Sequence, residues 1–169
     1  TPNTSSAASD VYKRQTEERL LETALHNVLN TIDCRISFTS PVDGRILICN
    51  RPFAIGAGYR MTSQAIGQTP YDYLKAKSAA AVHNVSKRVA ASLTQDGPRD
   101  HDLAFKDGTS TKLRSLSVPI LSKGDANKAV AVLHVATEHD DPMWQESLVG
   151  AKECVEGVLN SGNDDWFRT

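Results

Sequence analysis

The sequence predicts an α+β fold: five strands whose sheet is covered on one face by helices gathered between the second and the third, and a further helix flanking it at each end. Three observations carry that prediction. Apolar residues recur at helical spacing over 16–32 and again after Asp140-Asp141-Pro142. Two short β-type runs at 35–38 and 45–49 are joined across Asp43-Gly44, and three longer ones fill 101–137. Between these groups lies a glycine-punctuated stretch followed by one long helical stripe.

The first fifteen residues stand apart from this pattern. TPNTSSAAS is poor in apolar residues, which predicts disorder. Asp10-Val11-Tyr12-Lys13-Arg14-Gln15 reads like the translation of a transposon-end adapter from a sequencing library. Residues 1–15 are therefore set aside as a disordered segment or an artefact of a metagenomic read, with the gene's true start expected elsewhere.

From Thr16 onward Leu21, Ala24, Leu25, Val28 and Ile32 share a helical face, with acids in the first turn, predicting a flanking helix over 16–32. A hairpin follows, because Gly44 tolerates the positive φ that a tight turn demands. Asn50 is a natural cap for a short helix, and Pro52 sits in its first turn, where a missing N–H costs nothing. Gly56, Gly58 and Gly67 leave only short turns around Phe53, Ile55, Tyr59, Met61 and Ile66. Thr69, Pro70 and Asp72 form a helix start, and the stripe Leu74, Ser78, Ala81, Val82, Val85, Val89 and Leu93 predicts one helix running to about Leu93. Gly97-Pro98 ends it.

Strands are then expected at 101–105, 111–121 and 128–137, with turns at Asp107-Gly108 and Lys123-Gly124-Asp125. Pro119 lacks a ladder donor, so its strand is irregular or at an edge there. Trp144, Leu148, Ala151, Val155 and Leu159 predict the closing helix. The division is thus a core at 33–138 between the 16–32 helix and a C-terminal helix and tail at 139–169.

Composition narrows the function. At 169 residues and 40% hydrophobic content the chain can bury one core. Its net charge of −1 and lack of a Lys/Arg cluster argue against nucleic acid as a partner. No run approaches the ~18 apolar residues of a membrane helix, and no secretory signal is visible, so a soluble cytoplasmic protein is expected. Cys34, Cys49 and Cys154 show no metal-ligand spacing and read as reduced thiols, with no metal site. GxSxG, HExxH and P-loop motifs and convincing carboxylate pairs are missing, which argues against an enzyme.

Leu47-Ile48-Cys49-Asn50, Phe53-Ala54, Gly58-Tyr59 and Ile66-Gly67-Gln68-Thr69-Pro70-Tyr71-Asp72 resemble the first half of a PAS sensor domain. Phe105-Lys106-Asp107-Gly108, Ser117-Val118-Pro119-Ile120 and the run from Ala131 to Glu138 resemble its second half. The resemblance implies a PAS-like five-stranded antiparallel sheet, small helices enclosing a pocket, and flanking helices that mediate dimerisation and pass a signal to an output domain or partner protein. Two departures are visible. The usual Asp-Ile-Thr exit motif is replaced by Glu138-His139-Asp140, and the flavin-reactive GxNCRFLQ motif is absent, so photosensory flavin is not expected as cofactor.

Residues expected to bind ligand along the pocket are Phe38, Ile48, Phe53, Tyr59, Tyr71, Leu74, Val82, Val85, Phe105, Leu116 and Leu133, with Ile66, Val118 and Val135 sharing the cavity or core. Asn50, Arg51 and Tyr71 are candidate polar contacts for a small acid, although capping alone accounts for Asn50. His83 lies off the apolar stripe and reads as a rim or surface histidine; the alternative is an axial ligand to heme iron. His134 shares a strand face with Val130, Val132 and Ala136; it could donate to a pocket ligand, but is expected to face a flanking helix. Arg99-Asp100-His101-Asp102 reads as a solvated surface. The expected function is a non-catalytic, homodimeric sensory or protein-interaction module. The alternatives are a heme-based gas or redox sensor and a small-molecule enzyme on a related cup-shaped fold.

Overall fold

The computed structural model describes residues 2–161 and 167, without the side chains of residues 2–6, 17, 18 and 21. In chain order the elements are α1 (Pro2–Thr31), β1 (Arg35–Thr39), β2 (Ile46–Cys49), α2 (Arg51–Gly56), α3 (Thr62–Ala65), α4 (Pro70–Tyr73), α5 (Ala76–Ser92), β3 (Asp96–Ala104), β4 (Ser110–Leu121), β5 (Ala129–Glu138) and α6 (Trp144–Asn160). The five strands form one sheet in the order β2-β1-β5-β4-β3, antiparallel throughout.

Successive side chains of a strand point to opposite faces, so the register divides the sheet into two surfaces. Ile36, Val135 and Leu116 lie side by side across three strands, as do Phe38, Leu133 and Val118. These rows pack against Leu25 and Leu29 of α1 and Leu148, Ala151, Val155 and Leu159 of α6. The other surface is covered by α2 to α5, with a second core of Ile46, Cys49, Ala54, Ala65, Tyr73, Leu74, Ala79 and Phe105. Helices therefore cover both faces, the middle group on one and the flanking pair on the other.

Several elements differ from the sequence expectation for identifiable reasons. The first helix starts at Pro2 rather than Thr16, and residues 7–16 are exposed throughout, so this part relies on its own backbone ladder. The single helix expected from Thr69 to Leu93 is two. Leu74 leaves the helix to bridge Phe105, while Lys75 N–H donates to Ala104 O and Lys106 N–H to Tyr73 O, and the chain restarts as α5. The stripe turns accordingly: Ser78, Ala79, Ser86 and Val89 are buried and Ala81 is exposed. β3 begins at Asp96, so Gly97-Pro98 lies inside a strand. Gly97 is required there, since its φ is +96° and a Cβ would meet the Ser115 carbonyl at 2.6 Å. Pro119 sits in β4 beyond Ser117, the last residue that β3 pairs, so its missing N–H falls at a local edge.

Asn50 joins the flanking helix, the first strand and the pocket helices. It is fully buried. Its Oδ1 accepts from Ile36 N–H at 3.0 Å and Phe53 N–H at 3.1 Å, and its Nδ2 donates to Leu29 O at 3.1 Å and Cys34 O at 2.7 Å. One side chain thus caps α2, closes the end of α1 and holds the start of β1. Asn50→Ala strands these backbone groups without water and is expected to cost about 3 kcal/mol. Asn50→Asp, which sets a carboxylate against two carbonyls, should cost at least as much. Urea unfolding followed by circular dichroism checks both, and a loss below about 1 kcal/mol would refute this role.

Candidate functional site

A cavity of about 90 Å³ lies between the inner face of the sheet and the middle helices. Its sheet wall follows from the same alternation that makes the outer face apolar. Ser37, His134 and Ser117 are direct cross-strand neighbours, and so are Arg35, Ala136 and Ser115. Its other walls are Phe53 of α2, Leu74 between α4 and α5, Val82 and Val85 of α5, and Leu103 and Phe105 at the far edge. One side is polar and the other oily.

His134 is the centre of the polar side. Thr39 Oγ1 and Ser86 Oγ lie 3.0 and 2.9 Å from its Nε2, and Ser117 Oγ lies 2.8 Å from its Nδ1. Both ring nitrogens are engaged, so a neutral imidazole with one donor and one acceptor is saturated by hydroxyls that adapt to either tautomer. The ring is enclosed by protein, and its remaining accessible surface faces the cavity. Burial, with a smaller contribution from nearby His101, pushes its pKa down from 6.5 to about 4. The His101 pKa is also lowered, first by burial and then by Arg99. Because Ser86 belongs to α5, this network also fastens the long helix to the sheet.

Arg35 lines the cavity and reaches out of it. Its Nη2 donates to Glu138 Oε1 at 2.9 Å, at the end of β5. On the other side its guanidinium fills the space beside Gly56, where a Cβ would stand 2.5 Å from Nη1. The pocket helix α2, the cavity and the exit from the sheet therefore meet at one side chain.

This architecture matches known proteins. The family model described as PAS fold matches residues 23–135. The chain belongs to the PAS family. PAS domains are sensory and interaction modules, and solved structures share the fold at low sequence identity. The Rhodobacter sphaeroides LOV protein aligns with a TM-score of 0.62 and 11% identity, covering 88% of this chain and 85% of that one. A PAS domain from Colwellia psychrerythraea aligns at 0.55 and 18% identity, covering 66% and 91%. Vibrio cholerae VqmA aligns at 0.54 and 11% identity, covering 62% of this chain, which spans 45% of the VqmA chain. No curated protein matches.

Within the PAS domain the expected lining residues separate into groups. Phe53, Leu74, Val82, Val85 and Phe105 line the cavity together. Phe38, Leu116 and Leu133 sit on the outer face under the flanking helices, joined there by the partly buried Ile48, because each is out of phase with the inner row. Tyr59 packs at the edge of the inner core, its ring edge-on to Tyr73. Tyr71 is largely exposed and leans on the His83 ring. His83 itself packs beside Gly44 and does not line the cavity. Nor would a porphyrin enter a space well below the ~300 Å³ at which drug-sized sites begin.

The polar residues were the ones misplaced. His134, expected against a flanking helix, faces the cavity and α5. His101, expected in a solvated run, alternates inward between exposed Asp100 and Asp102. The signal was present in Arg35-Ile36-Ser37-Phe38-Thr39 and Ser115-Leu116-Ser117-Val118: a strand that alternates large apolar with small polar residues turns the apolar set toward the larger core.

Two outcomes follow for the PAS domain. His134 takes up a proton more readily unfolded than folded, so its contribution to stability is complete above about pH 6.5 and is lost as pH falls toward about 4. Urea midpoints should drop between pH 7 and 5, less steeply in His134→Gln, and the His134 ring should still be neutral by NMR at pH 5.5. A ring that titrates near 6.5 would contradict this. Gly56→Ala should push the flexible end of Arg35 off Glu138, so the change should be less favourable to stability in the wild type than in an Arg35→Ala background, where only the helix propensity of alanine remains. Equal effects in both backgrounds would exclude the clash.

Proposed function

We propose that this PAS domain is a non-catalytic cytoplasmic sensor whose inner cavity takes a small molecule and whose flanking helices carry the response to a homodimer partner and an output domain. The observation that carries this reading is the position of Arg35. It borders the cavity and pairs with Glu138, the residue at which the last strand leaves for α6. A ligand that favours one placement of Arg35 would bias the packing of α6 and α1, which touch each other on the outer face. Among the described residues no helix is long and apolar enough to cross a membrane, and no group of His, Cys, Asp and Glu could hold a metal ion.

The proposed dimer contact is the part of α1 that precedes Leu25. Within the stretch from Thr16 onward Leu20 is 65% exposed, on a helix that the sheet does not cover. Native mass spectrometry at micromolar concentration should show a dimer, and Leu20→Glu should shift it to monomer with an unchanged circular dichroism spectrum. A monomeric wild type would refute the homodimer.

A further inference from the structure

We propose that the cavity selects a small uncharged molecule with one hydrogen-bonding head and an apolar body, the chemistry of a short-chain amide, ketone or alcohol. This rests on the reading of the cavity as the sensing site and specifies what it senses. Three features of the lining lead there.

The first is the set of polar groups left over. The hydroxyls of Thr39, Ser86 and Ser117 are taken by His134. Those of Ser37 and Ser115, and the ring of His101, also border the cavity and have no hydrogen-bond partner among the described residues. Ser37 is buried while Ser115 and His101 are half-buried, so these groups turn to the cavity rather than to a protein partner. Ser115 and Ser37 project from adjacent rows of the same sheet face, on the polar side of the cavity, and a bound head group placed there would find donors and acceptors ready to adapt to it.

The second is charge. Among the described residues Arg35 is the one permanently charged residue on the lining, and its guanidinium is already matched by the Glu138 carboxylate. The two imidazoles are held toward their neutral forms. An ion brought into this space would be stripped of water with no free counter-charge to meet it, a cost that a neutral head group avoids. The third is size and polarity. About 90 Å³ is less than the ~150 Å³ cavity that accommodates benzene. Opposite the serines the walls are Phe53, Leu74, Val82, Val85 and Phe105, which suit a methyl or short alkyl group.

Acetamide and acetate separate charge from shape, since they have nearly the same size and outline. Titration of each into the isotopically labelled full chain at pH 7.5, followed by backbone and His-ring NMR, should give saturable shifts at Ser115, Ser117 and His134 with acetamide. Acetate should bind at least tenfold more weakly. Ser115→Ala should weaken acetamide by about fivefold while leaving the urea midpoint unchanged, because that hydroxyl holds nothing in the protein. Acetate binding as tightly as acetamide would show that Arg35 recruits anions; the selectivity would then be overturned while the sensing cavity stood. If neither probe perturbs these residues at hundred-millimolar concentration, the cavity holds only water and both the ligand class and the sensing reading fall.

Discussion

A sheet covered on both faces has little water to offer its side chains, and that constraint governs most of this structure. The outer face meets it simply, with rows such as Ile36, Val135 and Leu116 placed against the flanking helices. Around His134 the inner face meets it by mutual satisfaction. Ser117, Thr39 and Ser86 would each be costly to bury alone, and one neutral imidazole between them answers all three. The side chains around that imidazole are mostly small hydroxyls, which leave space that longer alkyl chains would fill. A cavity beside them is the structural consequence, and its position at the centre of the sheet is fixed by the strand that supplies the histidine.

The same constraint explains Asn50. The crossing from α1 into β1 and the turn from β2 into α2 bring several loose backbone groups into one buried spot, among them the carbonyls of Leu29 and Cys34 and the amides of Ile36 and Phe53. A carboxamide is the one side chain group with two acceptor positions and two donors in a plane, so it serves all four where Ser or Asp would serve only some. The inner cup and the outer helix layer thereby share a fixed point, and a shift of α2 cannot leave the end of α1 unaffected.

Much of this could be read from the chain, and the rest was hidden for physical reasons. Helix periodicity at 144–159, the Asn50 cap and the turn at Gly44 are local signals, and each appears where local chemistry puts it. The break at Leu74 is not local: a helix start at Thr69 and an unbroken stripe give no hint that Phe105, far along the chain, will take Leu74 into a bridge. The pocket residues failed on phase. Apolar content alone groups Phe38, Leu116 and Leu133 with Phe53 and Val82, whereas the period of two assigns them to opposite faces once small polar residues are allowed to mark the inner one. His101 was lost for a related reason, because a charged neighbourhood in sequence says little about a strand whose alternate residues face different media.

The exit from the sheet shows how a missing motif can be replaced by other contacts. The segment Glu138-His139-Asp140 lacks the Asp-Ile-Thr pattern, but Asp141 performs the fastening instead: its carboxylate accepts from Thr137 Oγ1 at 3.1 Å, from Met143 N–H at 2.9 Å and from Ser147 Oγ at 3.3 Å. These bonds join the last strand to the first turn of α6. Arg114 adds a second tie, its guanidinium 4.3 Å from the Trp144 ring and its Nε bonded to Asp100 at 2.8 Å, so β3 and β4 reach the same helix start. With α6 held to three strands at one end, it has little freedom to move independently of the sheet. Any signal that leaves through it must therefore begin as a change in the sheet, and Arg35, standing between the cavity and Glu138 on the central strands, is where such a change would be felt first.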